Sequence, residues 1–376
     1  TAHLRPRDQL VQVFGCQSAG HKLVVHALIN DLLQLLLGVA VRHNADGGEG
    51  MLDVLIAATN GQMIHISAHN PLMEWHDTYY GISEDGKTAF IEMASISGLP
   101  LVPPEKRNPM LTTTYGTGEL IRNALERGCR NFIIGIGGSA TNDAGLGMLQ
   151  ALGFRFLDKE GKESGIGNGE SLTKVDTVDI THIHPALNSC HFTVACDVQN
   201  PFYGPEGAAY VFAPQKGADR KMVEILDTGL RHFSEVIRHA TGKDISNHPG
   251  AGAAGGMGGS LLAFLNAALK PGIQLLLDIL DFSNKIKGVD LIITGEGKAD
   301  KQTLMGKVPS GILAEARQQD IPVILLAGKV EDADELQQAG FQRVFSINPP
   351  FLSLEQAMQP DIARKNIQQT VEAILL

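Results

Sequence analysis

The sequence predicts an α/β protein of more than one domain, and three observations carry the prediction. The chain's 376 residues exceed the roughly 100–200 that one domain usually holds. Its last third alternates apolar strand-like runs with helical ones, the pattern of a parallel sheet with helices on both faces. Glycine is abundant, at 42 residues, while aromatics make up only 5%, a balance that suits many tight strand-to-helix turns.

Taken in order, Leu23–Val41 has helical apolar content, interrupted by Asn30 and Asp31. A-D-G-G-E-G at 45–50 is a turn bearing Asp46 and Glu49, and Met51–Thr59 reads as a helix stopped by Asn60-Gly61. Short runs at Met63–Ser67 and Thr88–Met93, split by turn residues, predict strands, read as antiparallel. The prolines at 100, 103, 104 and 109 mark an extended crossing. Thr117–Arg127 is helical, with Gly128 as its stop. Asn131–Ile136 is a buried strand running into G-I-G-G-S-A-T-N-D-A-G-L-G at 135–147 and a helix through Ala151. Strands follow at Phe154–Leu157 and His191–Val198, then helices at Val223–Ala240 and Leu261–Leu269. Val289–Thr294 is a strand ending in T-G-E-G-K-A-D. Helix 312–319, strand 321–327, helix 332–339, strand 344–347 and a closing helix from Glu355 complete the alternation.

Composition excludes several classes. With 31 basic against 41 acidic residues the net charge is −10, a field that repels nucleic acid and anionic membranes. No apolar run reaches the ~18 residues of a membrane span, and no signal peptide is evident. The cysteines, Cys16, Cys129, Cys190 and Cys196, show no C-x-x-C spacing and read as reduced thiols of a cytoplasmic protein. His182 and His184 lack a third ligand for zinc, and neither a Walker motif nor a G-x-S-x-G elbow occurs.

Three segments share one design, an apolar strand or turn followed by glycines and then a helix, where backbone N–H groups can approach an anion. The first is 132–147. Read as G-x-G-x-x-A, Gly135–Ala140 matches a dinucleotide fingerprint, and Asp158 follows the next strand as a ribose-binding carboxylate would. A nicotinamide dehydrogenase is therefore one alternative. Asn142-Asp143 weighs against it, because a carboxylate about 4 Å from a pyrophosphate costs several kcal/mol. Asp143 suits a cation or nucleotide-borne Mg²⁺, or simply the helix N-terminus. The second segment, 249–260, has six glycines among twelve residues, including Gly255 and Gly256, so either a ligand or another backbone packs there. The third, 294–307, gathers Gly295, Glu296, Lys298, Asp300 and Lys307 at a strand end, where two carboxylates can share Mg²⁺ and a lysine can meet phosphate. Asp197, at the end of another strand, is a candidate general base or a turn cap. Asp46 and Glu49 stand at capping-box spacing.

A-D-G-G-E-G (45–50), G-I-G-G-S-A-T-N-D-A-G (135–145), V-A-C-D-V-Q-N-P (194–201), A-P-Q-K-G-A (213–218), P-G-A-G-A-A-G-G-M-G-G (249–259) and T-G-E-G-K-A-D-K-Q-T-L-M-G-K-V-P (294–309) occur in this order. Together they resemble the bacterial glycerate kinases of the two-domain, non-P-loop family, over roughly residues 45–350. The resemblance implies ATP- and Mg²⁺-dependent phosphorylation of D-glycerate, with 2-phosphoglycerate favoured, by a cytoplasmic monomer or homodimer. It implies a flavodoxin- or Rossmann-like parallel sheet formed by both chain ends (1–68 and 275–376) and an inserted mixed α/β domain (69–274). The active site would lie in the cleft. Asp197, Lys307 and Asp300 would be catalytic, and Asp143, Glu296 and Asp300 would hold metal. Gly137, Gly138, Ser139, Lys216, Gly255, Gly256, Gly295 and Glu296 would bind the nucleotide, and Asp46, Glu49 and Asn142 the substrate. The family's opening strand with its D-S-F-K-type motif has no counterpart in residues 1–44, where Asp8 stands in R-P-R-D-Q-L.

Overall fold

The structure, a computed structural model, describes residues 51–375. The expectations placed on residues 1–44 and on the turn holding Asp46 and Glu49 lie outside them. The described residues fall into two compact units, 51–272 and 273–375.

The larger unit opens with helix α1 (Met51–Ala58), followed by β1 (Gln62–His69), β2 (Trp75–Ile82) and β3 (Thr88–Glu92). In β1 the alternation M-I-H-I-S-A sends Ile64, Ile66 and Ala68 toward the core and leaves Met63, His65 and Ser67 exposed, as a half-buried strand requires. Helix α2 (Tyr115–Glu126), β4 (Asn131–Gly135) and α3 (Leu146–Ala151) come next, then a separate two-stranded ribbon of β5 (Arg155–Leu157) and β6 (Thr177–Asp179). β7 (His191–Ala195), the long amphipathic α4 (Arg220–Thr241), α5 (Met257–Phe264) and β8 (Ala268–Lys270) complete the unit. Six strands form one sheet in the order β1-β2-β3-β4-β7-β8. Only β1–β2 and β2–β3 are antiparallel; β3, β4, β7 and β8 run parallel. The continuous apolar run of β4, buried at Phe132–Gly135, reflects a strand covered on both faces.

The smaller unit contains α6 (Gly272–Ile279) from Ile273 onward, β9 (Ile292–Ala299), α7 (Val308–Arg317), β10 (Val323–Val330), α8 (Ala333–Gln338), β11 (Arg343–Ser346) and α9 (Pro360–Leu375). Its three strands are parallel in the order β11-β10-β9. One face packs Leu277, Leu313, Ala316 and Leu336 against Val323 and Leu325. The other packs Val371 and Ile374 of α9 against Ile293, Ile324 and Leu326. The predicted parallel sheet with helices on both faces is what forms. No helix among the described residues is long and apolar enough to cross a membrane.

The strand-rich middle forms the expected mixed sheet, antiparallel from β1 to β3 and parallel from β3 to the β8 edge. Three expectations change. The expected boundary at 68 falls inside β1, which pairs with β2 along its whole length and so belongs with the larger unit. The expected helix 261–269 stops at Phe264; Asn266 adopts φ 50°, and Ala268–Lys270 joins β7 as a strand. The strand expected to end at Thr294 runs on to Ala299, because Gly295, Glu296, Lys298 and Ala299 register with Leu326, Ala327, Lys329 and Val330.

Candidate functional site

In the larger unit the parallel strands end together. Glu92, Gly135, Ala195 and Lys270 lie side by side as register partners. Ligands of open α/β sheets bind outside such carboxyl ends; the loop leaving β4 carries Gly137, Gly138, Ser139, Asn142 and Asp143, and the loop leaving β7 carries Asp197. Glu92 is buried and accepts the Leu52 N–H at 3.0 Å, so it anchors the start of α1. Sequence reasoning missed it, although an acid closing the apolar run T-A-F-I was the available signal.

The loop after β4 is held on several sides. Leu99 N–H donates to the Gly138 carbonyl at 2.8 Å and Ala140 N–H to the Ser97 carbonyl at 2.9 Å. Gly138 takes φ 70°, a left-handed conformation natural to glycine; Gly137 precedes this turn. The loop's main feature is Lys216, carried on a single turn at Pro214–Lys216 and only 2% exposed. Its Nζ donates to Ser139 Oγ at 2.7 Å and to the Thr141 carbonyl at 2.6 Å. Burial pulls the lysine pKa down from 10.5 to about 7, while the charge of Asp143 acts the other way. The structure thus brings Ser139 and Lys216 together, 77 residues apart in the chain. Asn142 lies in the same segment, fully buried.

Asp143 is a correction. It is fully buried and accepts four hydrogen bonds: Thr114 N–H at 2.8 Å, Thr114 Oγ1–H at 2.7 Å and Gly147 N–H at 3.3 Å to Oδ2, and Gly145 N–H at 3.1 Å to Oδ1. Burial pushes its pKa up, and these donors oppose the rise. A carboxylate so enclosed ties the start of α2 to the start of α3 and offers nothing to a metal. The glycines at 249–260 find a backbone reason. A Cβ on Gly255 would lie 2.2 Å from the Thr141 carbonyl oxygen, and one on Gly256 would meet Leu230 at 2.9 Å and Phe202 at 3.0 Å. Ala144 N–H also donates to the Gly255 carbonyl at 3.0 Å. This segment therefore acts as the packing surface beneath the Asn142–Ala144 loop.

Asp158 does not serve a dinucleotide. Its strand β5 pairs with β6 in the separate ribbon, not with β4, and Oδ1 accepts N–H groups of Glu160 and Lys162 at 3.1 and 2.8 Å. The helix after β4 begins only at Leu146, too late for the fingerprint turn. Asp197, by contrast, is exposed beyond β7, and its Oδ1 accepts the Gly272 N–H at 2.9 Å.

In the smaller unit, Glu296, Asp300 and Lys307 do meet. Lys307 Nζ stands 3.5 Å from Glu296 and 3.9 Å from Asp300. Thr303 Oγ1 donates to Glu296, and Lys298 pairs with Asp300 at 3.1 Å and Glu331 at 2.9 Å. Burial raises the Glu296 pKa, whereas the hydrogen bond from Lys298 lowers that of Asp300. Asp300 also caps the turn Lys301–Leu304. Gly295 sits in the β9–β10 ladder and, with Thr294 and Glu296, lines a hollow at this strand. Among the described residues no three of His, Cys, Asp and Glu are grouped to hold a metal. What the described residues show here is two carboxylates, Glu296 and Asp300, sharing the Lys307 ammonium.

A sequence profile described as the Glycerate kinase family matches residues 23–376. A glycerate kinase of Haemophilus influenzae is 51% identical over 81% of this chain and 80% of its own. A glycerate 2-kinase of Escherichia coli is 49% identical over 84% and 83%. A crystal structure described as a candidate glycerate kinase 2 from Salmonella typhimurium LT2 superposes with a TM-score of 0.78 at 40% identity, covering 94% of this chain and 96% of that one.

Proposed function

The chain belongs to the glycerate kinase family, and on that premise we propose that it transfers the γ-phosphoryl group of ATP to a hydroxyl of D-glycerate, with 2-phosphoglycerate the favoured product. The observation that carries the reading is the Lys216 ammonium, buried yet seated on Ser139 and Thr141 at the carboxyl end of β4. An anion arriving there would favour the ammonium form of this lysine, giving the local positive charge that a chain of net charge −10 needs.

In this mechanism the glycerate hydroxyl oxygen forms a bond to the γ-phosphorus while the bond to the β,γ-bridging oxygen breaks and ADP departs. Asp197 orients the hydroxyl and accepts its proton. Glu296 and Asp300 would hold Mg²⁺ brought with the nucleotide, and Lys307 would offer its ammonium to phosphate oxygens. Mg²⁺ supplies charge neutralisation on those oxygens. The enzyme is placed in the cytoplasm, as a monomer or homodimer, with no nucleic-acid or membrane partner.

The test is glycerate-dependent ADP formation, measured with wild type and Asp197→Asn. The amide keeps an acceptor for the Gly272 N–H, so the variant should fold normally and lose at least ~10² in kcat. Near-normal turnover would remove Asp197 from the chemistry, and ADP formation indifferent to glycerate would end the reading.

A further inference from the structure

Asn142 is fully buried, and neither its Nδ2 nor its Oδ1 has a hydrogen-bond partner; the hydroxyl of the adjacent Thr141 is likewise buried and unpaired. Among the described residues these are the buried side-chain polar atoms left in that state. Buried polar groups are nearly always paired, since leaving one unpaired forfeits its full hydration. Neighbouring Asp143, equally buried, is saturated by four donors. The deficit is thus confined to two consecutive residues, and the Thr141 carbonyl is the one gripped by the Lys216 ammonium.

An amide lacking both partners calls for a ligand that presents an acceptor beside a donor. A fully ionised phosphate presents acceptors only and would leave Oδ1 unpaired. An adenine edge offers the pair, but carries no charge for the ammonium next to Thr141. A hydroxy acid with a second hydroxyl satisfies all of these: its carboxylate accepts from Nδ2–H and lies near a cation, and its hydroxyl donates to Oδ1.

Resting on the glycerate kinase reading, we propose that Asn142, with Thr141, is the specificity-determining pair for the acid. Asn142 Nδ2 binds the carboxylate, and Oδ1 accepts the hydroxyl that is not phosphorylated. Because the amide is enclosed, the acid enters as the loop shifts. That loop is bounded by left-handed turns at Gly138 and Gly145, with φ of 70° and 76°.

The experiment compares wild type, Asn142→Ala and Thr141→Val. It uses kcat/KM for D-glycerate and for D-lactate, which lacks the second hydroxyl, KM for ATP, and the melting-temperature shift produced by D-glycerate alone. A site built to bind a hydroxyl rejects the analogue without it by about 10⁴. Wild type should therefore show a large glycerate preference, and Asn142→Ala should reduce it to roughly tenfold. ATP KM should stay within about twofold. The melting temperature of the free variant should not fall, because no partner is lost, and glycerate should no longer raise it. Thr141→Val should weaken the glycerate shift in the same direction. A lowered melting temperature with unchanged glycerate KM would overturn the proposal in favour of a structural water. So would a raised ATP KM with glycerate KM intact, which would assign the amide to adenine. The ligand-only shift is read without turnover. Wild type stabilised by glycerate but inactive with ATP would thus defeat the kinase reading while leaving the pair to be judged by the variants.

Discussion

Lys216→Met removes a buried ammonium and keeps an unbranched side chain of similar length. Burial lowers the lysine pKa from 10.5 to about 7. Between those values the unfolded chain binds a proton that the folded chain has released, so stability rises with pH across that window. Below pH 7 the folded protein carries the whole cost of the buried charge, about 5 kcal/mol at ~1.4 kcal/mol per pH unit. From pH 7 to 9 the wild type regains roughly 2–3 kcal/mol of it, and the variant, having no ammonium, regains none. For a unit of this size that corresponds to roughly 4–12 °C in melting temperature. Circular dichroism melts of both proteins at pH 6, 7, 8 and 9 read this directly. The variant should be the more stable by the widest margin at pH 6, with the margin narrowing by several degrees toward pH 9. Parallel curves across that range would refute the burial of a titrating lysine at this loop.

Two further predictions concern the same region. Gly255→Ala places a Cβ 2.2 Å from the Thr141 carbonyl oxygen at φ +67°; strain and the forced backbone shift should cost about 2–5 kcal/mol, visible as a fall of roughly 10 °C in the melt. Asp143→Asn turns an amide N–H₂ toward converging donors and should cost about 3 kcal/mol, lowering the melt without altering the Mg²⁺ dependence of residual activity. An unchanged melt with a shifted Mg²⁺ requirement would return Asp143 to the metal.

The fold class was legible because period and punctuation agreed. The alternation after residue 289 could form little but a parallel sheet, and the buried run 131–136 had to be covered on both faces. Register was not legible. Nothing local in N-A-A-L-K marks β8, which exists because β7 offers it an edge, and nothing in T-G-E-G-K-A says that its glycines continue a ladder. At the site, sequence supplied residue types but not their surroundings. Asp143 and Glu296 are both acids beside glycines, yet one is enclosed by four backbone and hydroxyl donors and the other shares a lysine with Asp300. Lys216 stood in a recognisable motif, but its burial against Ser139 depends on a contact 77 residues away in the chain. Glycine density at 249–259 pointed to a ligand somewhat more than to a backbone, and the Thr141 carbonyl against Gly255 supplies the backbone.

The central claim is tested most directly by ³¹P NMR of the product formed from Mg·ATP and D-glycerate by the purified protein. The account predicts ADP and a phosphoglycerate in equal amounts, its phosphorus split into a doublet by the single proton on C2. A triplet from the two C3 protons would move the phosphoryl group to the other hydroxyl. Inorganic phosphate alone, or no phosphorus signal beyond those of ATP, would contradict the account.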